Sequence, residues 1–449
     1  MKDRVKIVFF IALIVFLALP AHAQRGLSLI RDTEIETILK QWANPIFKSA
    51  ELDPAAVNII LVNSDSVNAF VAGGSNIFFY TGLLQKTENP GEVIGVLAHE
   101  TGHITGGHLI RGRDALQRAS YESIIGTILG IGVAVLSGEA GAVTALSAGG
   151  STIAQRGFLA HSRIQESSAD QAAITFLEQA KINPTGLASF MEKLKGESFV
   201  PETQQSEYIR THPLVDNRIA ALNRRINQSA HLDKPYPAQW REQHARMKAK
   251  LLGFISPGQI PWLYDDQDRS IAADYARTIA AYREDRDDVA LEGIENLLKQ
   301  EPKNPYFHEL KGQMLVDFGR VEDALPAYRD AVQLLPDAAL FRIALAHALI
   351  ESARHNEAEL LNEAIKHLEI AQQSERRSGR LHRLLATAYG RTDRDLHAKI
   401  HLAEEALLQR RLSFAKQHAK TVLNTETAGS ALWLKAQDIL SFIETVEKG

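Results

Sequence analysis

The chain has no cysteine among its 449 residues. That excludes disulfides, thiolate metal ligands and a lipid anchor carried on a Cys side chain. A chain this long can bury a core without covalent staples, so an exported protein free of Cys fits the bacterial periplasm. An excess of one charge is lacking as well. Fifty Lys and Arg stand against 54 Asp and Glu, a net charge of −4. Nothing in that balance calls for nucleic acid, and none is expected as a partner. An unbroken run of ~20 apolar residues, the length of a transmembrane helix, is also missing.

Two shorter apolar stretches are present. Lys2, Arg4 and Lys6 precede an apolar run from Ile7 to Leu19, and Ala21-His22-Ala23 follows. Basic, apolar and A-x-A regions in that order predict a cleaved secretory signal over residues 1–23, a mature start near Gln24 and a periplasmic location. Residues 123–153 are rich in Gly, Ala, Ile, Leu and Val, and Glu139 is their only charge. They read either as a buried helical hairpin or as a flap or peripheral membrane contact.

The strongest motif is His99-Glu100-Thr101-Gly102-His103, within PGEVIGVLAHETGHITGGHLIR. On an α-helix, residues four apart share a face, roughly 6 Å apart along the axis. Two imidazoles so placed can hold one zinc ion, and Glu100 beside them can act as general base toward a water. Two His on one face can also be simple solvated residues. Against that, Ile94, Val96, Leu97 and Ala98 make the helix strongly apolar, and a buried His or Glu needs a partner. Asn89 and Pro90 suit the N-cap and first helical position.

A zinc site with two His needs a third protein ligand. Glu166 is the best candidate, and Asp170, one helical turn on, can accept the second N–H of a liganding His. Both carboxylates also suit an acidic surface face paired with Arg163. His108 is the rival ligand, but it falls roughly 140° round the helix from His103. His212 or Arg218 can supply a donor to a developing oxyanion. Alternatively, His212 fills the open zinc position at rest, which closes the site.

Before this helix the sequence reads as one helix (32–50) and three strands, 57–62, 68–72 and 76–80, with a turn at Gly73-Gly74-Ser75-Asn76. The 76–80 strand is the expected edge for substrate addition. Around 227–240 the chain turns polar and Pro-bearing, which places a domain boundary there. Beyond it a 34-residue period emerges. Gly312, Ala324, Tyr328, Ala331 and Pro336 fit a tetratricopeptide repeat, and Thr278, Ala290, Ile294, Leu297 and Pro302 lie 34 residues earlier. Ala346 continues the register. Ala364, Leu368 and Ala371 rejoin it after a six-residue insertion, and Ala386 and Tyr389 open a further unit. A non-repetitive bundle is the plainer alternative. A repeat array offers a concave surface to peptides or partner proteins.

Together, Asn68-Ala69-Phe70, Gly82-Leu83-Leu84, the H-E-x-x-H, Glu166 with Ala169-Asp170, and His212-Pro213 with Arg218 resemble the HtpX-like and CAAX-prenyl-protease-like zinc metallopeptidases, of the soluble kind with C-terminal tetratricopeptide repeats. The resemblance implies an α+β gluzincin-like domain, mostly helical with a small sheet, over 24–232, and an all-α repeat solenoid over 233–449. It implies one Zn2+ per chain on His99, His103 and Glu166, with Glu100 as base and Asp170 behind the site. It also implies quality control of unfolded or misassembled outer-membrane proteins alongside the β-barrel assembly machinery. The alternative is a chaperone or scaffold with a silent protease site.

Overall fold

The computed structural model describes residues 28–107, 152–201, 205–213, 216–354 and 357–448. The expected signal peptide, His108 and residues 123–151 of the apolar stretch lie outside them.

The first half is a small sheet backed by helices. β1 (Ser28–Ile30) leads into α1 (Thr33–Ser49), whose N-cap Asp32 accepts a hydrogen bond from the Ile35 amide. β2 (Asn58–Asn63), β3 (Ala69–Ala72) and β4 (Asn76–Tyr80) complete a four-stranded sheet in the order β1-β2-β4-β3. β2 runs parallel to β4, while β1 and β3 are antiparallel to their neighbours. Alternation along the strands sends Ile59, Leu61, Ile77 and Phe79 to the helical core, and Ile60, Val62, Phe78 and Tyr80 to a second cluster on the opposite face. Gly73 and Gly74, with φ of 60° and 92°, make the tight β3–β4 turn that a side chain would strain.

The sheet order corrects one expectation. The 76–80 strand is interior, paired on both sides; the outer strand next to the active-site helix is β3. A run with five of five residues buried belongs to a covered strand, not to an edge.

After α2 (Thr81–Lys86), α3 (Pro90–Thr105) carries the H-E-x-x-H. Asn89 caps it through the Glu92 amide, with Pro90 at the first position. Val93, Ile94, Val96, Leu97 and Ala98 have no exposed surface. At roughly 1.5–3 kcal/mol for each large side chain, their burial anchors the helix through the core. α4 (Thr152–Gln179) crosses α3 at Gly102, where a Cβ would come 2.8 Å from the Ala169 carbonyl oxygen. α5 (Thr185–Lys195), α6 (Glu207–Thr211) and α7 (Asp216–Ile226) close the other side.

The second half is helical throughout. α8 (Ala238–Ile255) packs on α9 (Ile271–Arg283), and helix pairs follow: α9 with α10 (Asp287–Gln300), α11 (Pro305–Asp317) with α12 (Val321–Leu334), α13 (Ala339–Ser352) with α14 (Ala358–Gln372), α15 (Gly379–Gly390) with α16 (Asp395–Leu408), and α17 (Leu412–Thr425) with α18 (Ala431–Lys448). Ile271, Pro305 and Ala339 start the first helix of successive pairs 34 residues apart, and Gly379 arrives six residues late, as the inserted segment requires. Gly312 touches the Tyr328 ring, which is the small-against-large contact that the repeat positions imply. Among the described residues, no helix is long and apolar enough to cross a membrane. Buried Lys250 on α8 pairs with Asp32 (2.7 Å) and Glu34 (3.1 Å), and Tyr275 on α9 donates to Glu34, so both halves share a polar junction.

Candidate metal centre

Four elements bring the site together. α3 supplies His99, Glu100 and His103; α4 supplies Glu166 and Asp170; the end of α6 supplies His212; α7 supplies Arg218. One nitrogen or oxygen from each of His99, His103, Glu166 and His212 lies within 4.8 Å of the others. His103 Nε2 is 3.1 Å from His99 Nε2 and 3.3 Å from Glu166 Oε1. His212 Nδ1 is 3.0 Å from Glu166 Oε2 and 3.4 Å from His99 Nε2.

The surroundings fix the tautomers. His99 Nδ1 lies 3.0 Å from Asp170 Oδ1, so its proton belongs on that side and its Nε2 lone pair points into the cluster. Arg218 donates to both Asp170 oxygens (2.8 and 2.9 Å) and to the Pro213 carbonyl (2.8 Å), and its Nη1 is 3.2 Å from Glu166. Glu166 is therefore a buried partner of Arg218, not a member of a solvated face. Arg218 is bound up with carboxylates and a carbonyl.

The charges ask for a cation. Glu100, Glu166 and Asp170 are all buried, and the only fixed positive group among these residues is Arg218. Burial alone pushes Asp170 and Glu166 upward, yet their His and Arg partners hold both below the ordinary carboxylate range, Glu166 far below. Burial opposes charge on His99, but Asp170 and Glu166 draw its imidazole up to about 10. Both Glu100 oxygens are buried without a hydrogen-bond partner among the described residues, a costly state for a carboxylate unless something binds there. Nitrogen and carboxylate donors with no thiolate suit a borderline divalent ion.

Two further groups border the cluster. Tyr208 is fully buried, its ring 4.7 Å from that of His212, and its hydroxyl has no hydrogen-bond partner among the described residues. Burial raises its phenol well above the usual range. The Ala69 carbonyl on β3 lies 3.2 Å from His212 Nε2. Neither stands near the motif in the sequence, and a lone aromatic reads most simply as core.

Fold and site together define a metallopeptidase domain followed by helical repeats. Residues 30–226 match the model of peptidase family M48. The chain is similar to the beta-barrel assembly-enhancing protease of Yersinia pestis, 27% identical over 331 residues, covering 72% of this chain and 67% of the relative. The protein of the same name from Escherichia coli K12 is 26% identical over 340 residues, covering 74% and 68%. The E. coli metalloprotease LoiP is 30% identical over 175 residues, covering 38% of this chain and 63% of that one. A solved MamA structure overlies 37% of the chain at 22% identity with a TM-score of 0.33. At that score the repeat assignment rests on the helix pairs themselves.

Proposed function

We propose that the protein is a periplasmic zinc endopeptidase that clears misassembled outer-membrane β-barrel proteins, its repeats recruiting the substrate or the assembly machinery. One observation carries the chemistry: four metal donors converge on the buried H-E-x-x-H helix, with an excess of buried carboxylates around them. The cellular role leans on the similarity to the beta-barrel assembly-enhancing proteases.

His99, His103 and Glu166 hold the ion. Bound there, zinc supplies a Lewis acid that acidifies water toward a pKa of ~7 and polarises the scissile carbonyl. Glu100 accepts the proton of the attacking water as the new C–O bond forms. It then delivers that proton to the departing amine nitrogen as the C–N bond breaks. Asp170, gripped by Arg218, keeps the His99 lone pair aimed inward. The substrate backbone adds to the free edge of β3, beside α3. His212 is the fourth donor at rest and withdraws when substrate enters; Tyr208 beneath it limits where its ring can go.

That fourth donor also favours a second reading, a chaperone or scaffold whose site stays closed. One experiment separates the two. Bound zinc and casein cleavage are measured for purified mature protein and for Glu100→Gln. About one zinc per chain in both, with cleavage only in the wild type, is expected. Zinc without cleavage in either supports the chaperone reading. Failure of both to bind zinc sinks the ligand set.

A further inference from the structure

Among the described residues the sheet has two outer strands, and of these β3 faces the metal centre. β1, at the opposite end, bonds to β2 on one side, and no backbone hydrogen bond reaches its other side among the described residues. In an antiparallel pair, alternate residues turn their N–H and C=O outward, so β1 keeps unpaired groups on its free side. Such an edge is a template for an added strand.

This edge lines a cleft of about 1380 Å³ between the peptidase sheet and the repeats. Leu29, Ile30 and Ile60 line it from the sheet, and Glu309 of α11, Phe341 of α13 and the turn before α15 line it from the array. A volume above the ~300–1,000 Å³ of small-molecule pockets suits a stretch of chain. Arg31, just after β1, closes one end by a two-bond contact with Glu375 (2.7 and 2.9 Å).

The charges inside do not balance. Asp32 is tied to Lys250, Glu36 and Glu375 to Arg31, and Asp317 accepts from Tyr282. Glu309 is left, and burial lifts its carboxyl to about 7, so much of its charge is absent at neutral pH. On the other side, Lys40, Arg376 and Arg380 line the cleft with no carboxylate partner among the described residues; Arg380 meets His347, at 3.4 Å, and acts on the Tyr328 phenol.

We propose that the cleft is a second polypeptide site, where an extended acidic segment adds to the free edge of β1 and Arg376 and Arg380 take its carboxylates. Three strand spacings of ~4.8 Å put this edge about 14 Å from β3, so the bound segment is separate from the one presented for cleavage. That the bound chain is also the substrate rests on the endopeptidase reading; the binding does not.

The test uses full-length Glu100→Gln protein and a fluorescein-labelled decapeptide of Thr and Val with three Glu. Anisotropy is compared with a Lys-for-Glu version and with a version N-methylated at alternate residues, which cannot add as a strand. Saturable binding of the acidic peptide is expected. It weakens at least tenfold for both control peptides and for the added Arg376→Glu/Arg380→Glu pair, whose exposed side chains leave the fold intact. No saturable binding, or equal binding by the N-methylated peptide or the double variant, overturns the proposal. Casein cleavage by the wild type is measured separately. Cleavage without peptide binding removes the cleft proposal alone, and binding without cleavage removes the endopeptidase reading alone.

Discussion

Arg218 grips Asp170 through two parallel hydrogen bonds, Nε to Oδ2 at 2.8 Å and Nη2 to Oδ1 at 2.9 Å, and Asp170 lies 3.0 Å from His99 Nδ1. The chain of contacts runs from α7 through α4 to the motif helix. Removing the guanidinium strands two buried carboxylates. Arg218→Ala is expected to cost about 3–5 kcal/mol of stability. Arg218→Lys keeps the charge but loses the fork, so it is expected to fold and to bind zinc about 10–100-fold more weakly. Zinc competition with a chelator, beside a thermal melt, separates the two effects. Unchanged zinc affinity in the lysine variant would remove Arg218 from the positioning role.

Gly102 is the spacer of the H-E-x-x-H. A Cβ on it would meet the Ala169 carbonyl oxygen at 2.8 Å and its Cα at 2.9 Å, both backbone atoms that cannot swing aside. Alanine gains ~1 kcal/mol in helix propensity, yet prying α4 from α3 costs more, about 1–3 kcal/mol, and displaces Glu166 from the histidines. Gly102→Ala is therefore expected to lose zinc and activity. Gly196→Ala, with open space around its Cβ, is the control and stays within ~1 kcal/mol of wild type. Equal behaviour of the two variants would refute the spacer role.

Much of this site could be read from residue order because the motif and its context lie on single helices. Asn89 and Pro90 announced the start of α3, and the spacing of Glu166 and Asp170 placed both on one face of α4. The 34-residue period of the repeats carried through to the helix starts. What failed required contacts between segments. The interior strand β4 and the outer strand β3 are told apart by who pairs with them, and that is fixed by sheet order. Which groups Arg218 meets is likewise a matter of contacts between α7, α4 and the segment after α6. Tyr208 has no local signature, since its importance comes from lying under a histidine that its own helix positions.

His244 is buried on α8, where its ring meets Thr87 Oγ1 at 2.9 Å. The Thr87 hydroxyl gives its proton to the Leu84 carbonyl, so it accepts from His244 Nε2–H, and Nδ1 of the neutral ring carries no proton. Burial, with Lys248 and Lys193 nearby, lowers the imidazole from 6.5 to about 4. The unfolded chain then binds the extra proton first. The stabilisation from keeping the ring neutral is complete above pH 6.5 and is lost as pH falls toward 4. His244→Gln preserves the donor but cannot titrate. Its melting temperature is expected to fall less than that of wild type between pH 7 and 4.5, by an amount on the order of 1–2 kcal/mol in stability. Parallel curves would exclude His244 as the source.

His212 decides whether the resting site is open. Its Nδ1 stands 3.0 Å from Glu166 and within the same 4.8 Å cluster as the other donors, so an ion held by His99, His103 and Glu166 would meet a fourth ligand. A four-ligand site has no place for water or substrate carbonyl. If withdrawal of His212 limits the rate, His212→Ala keeps about one zinc per chain, held by three ligands, and cleaves an unstructured peptide several-fold faster than wild type. The oxyanion role makes the opposite demand, because losing one such donor typically costs about 100–1,000-fold in turnover. Zinc content and initial rates on one peptide therefore assign the residue. Faster cleavage identifies a gate, and a loss of two orders of magnitude with zinc retained identifies a donor to the transition state and refutes the gate.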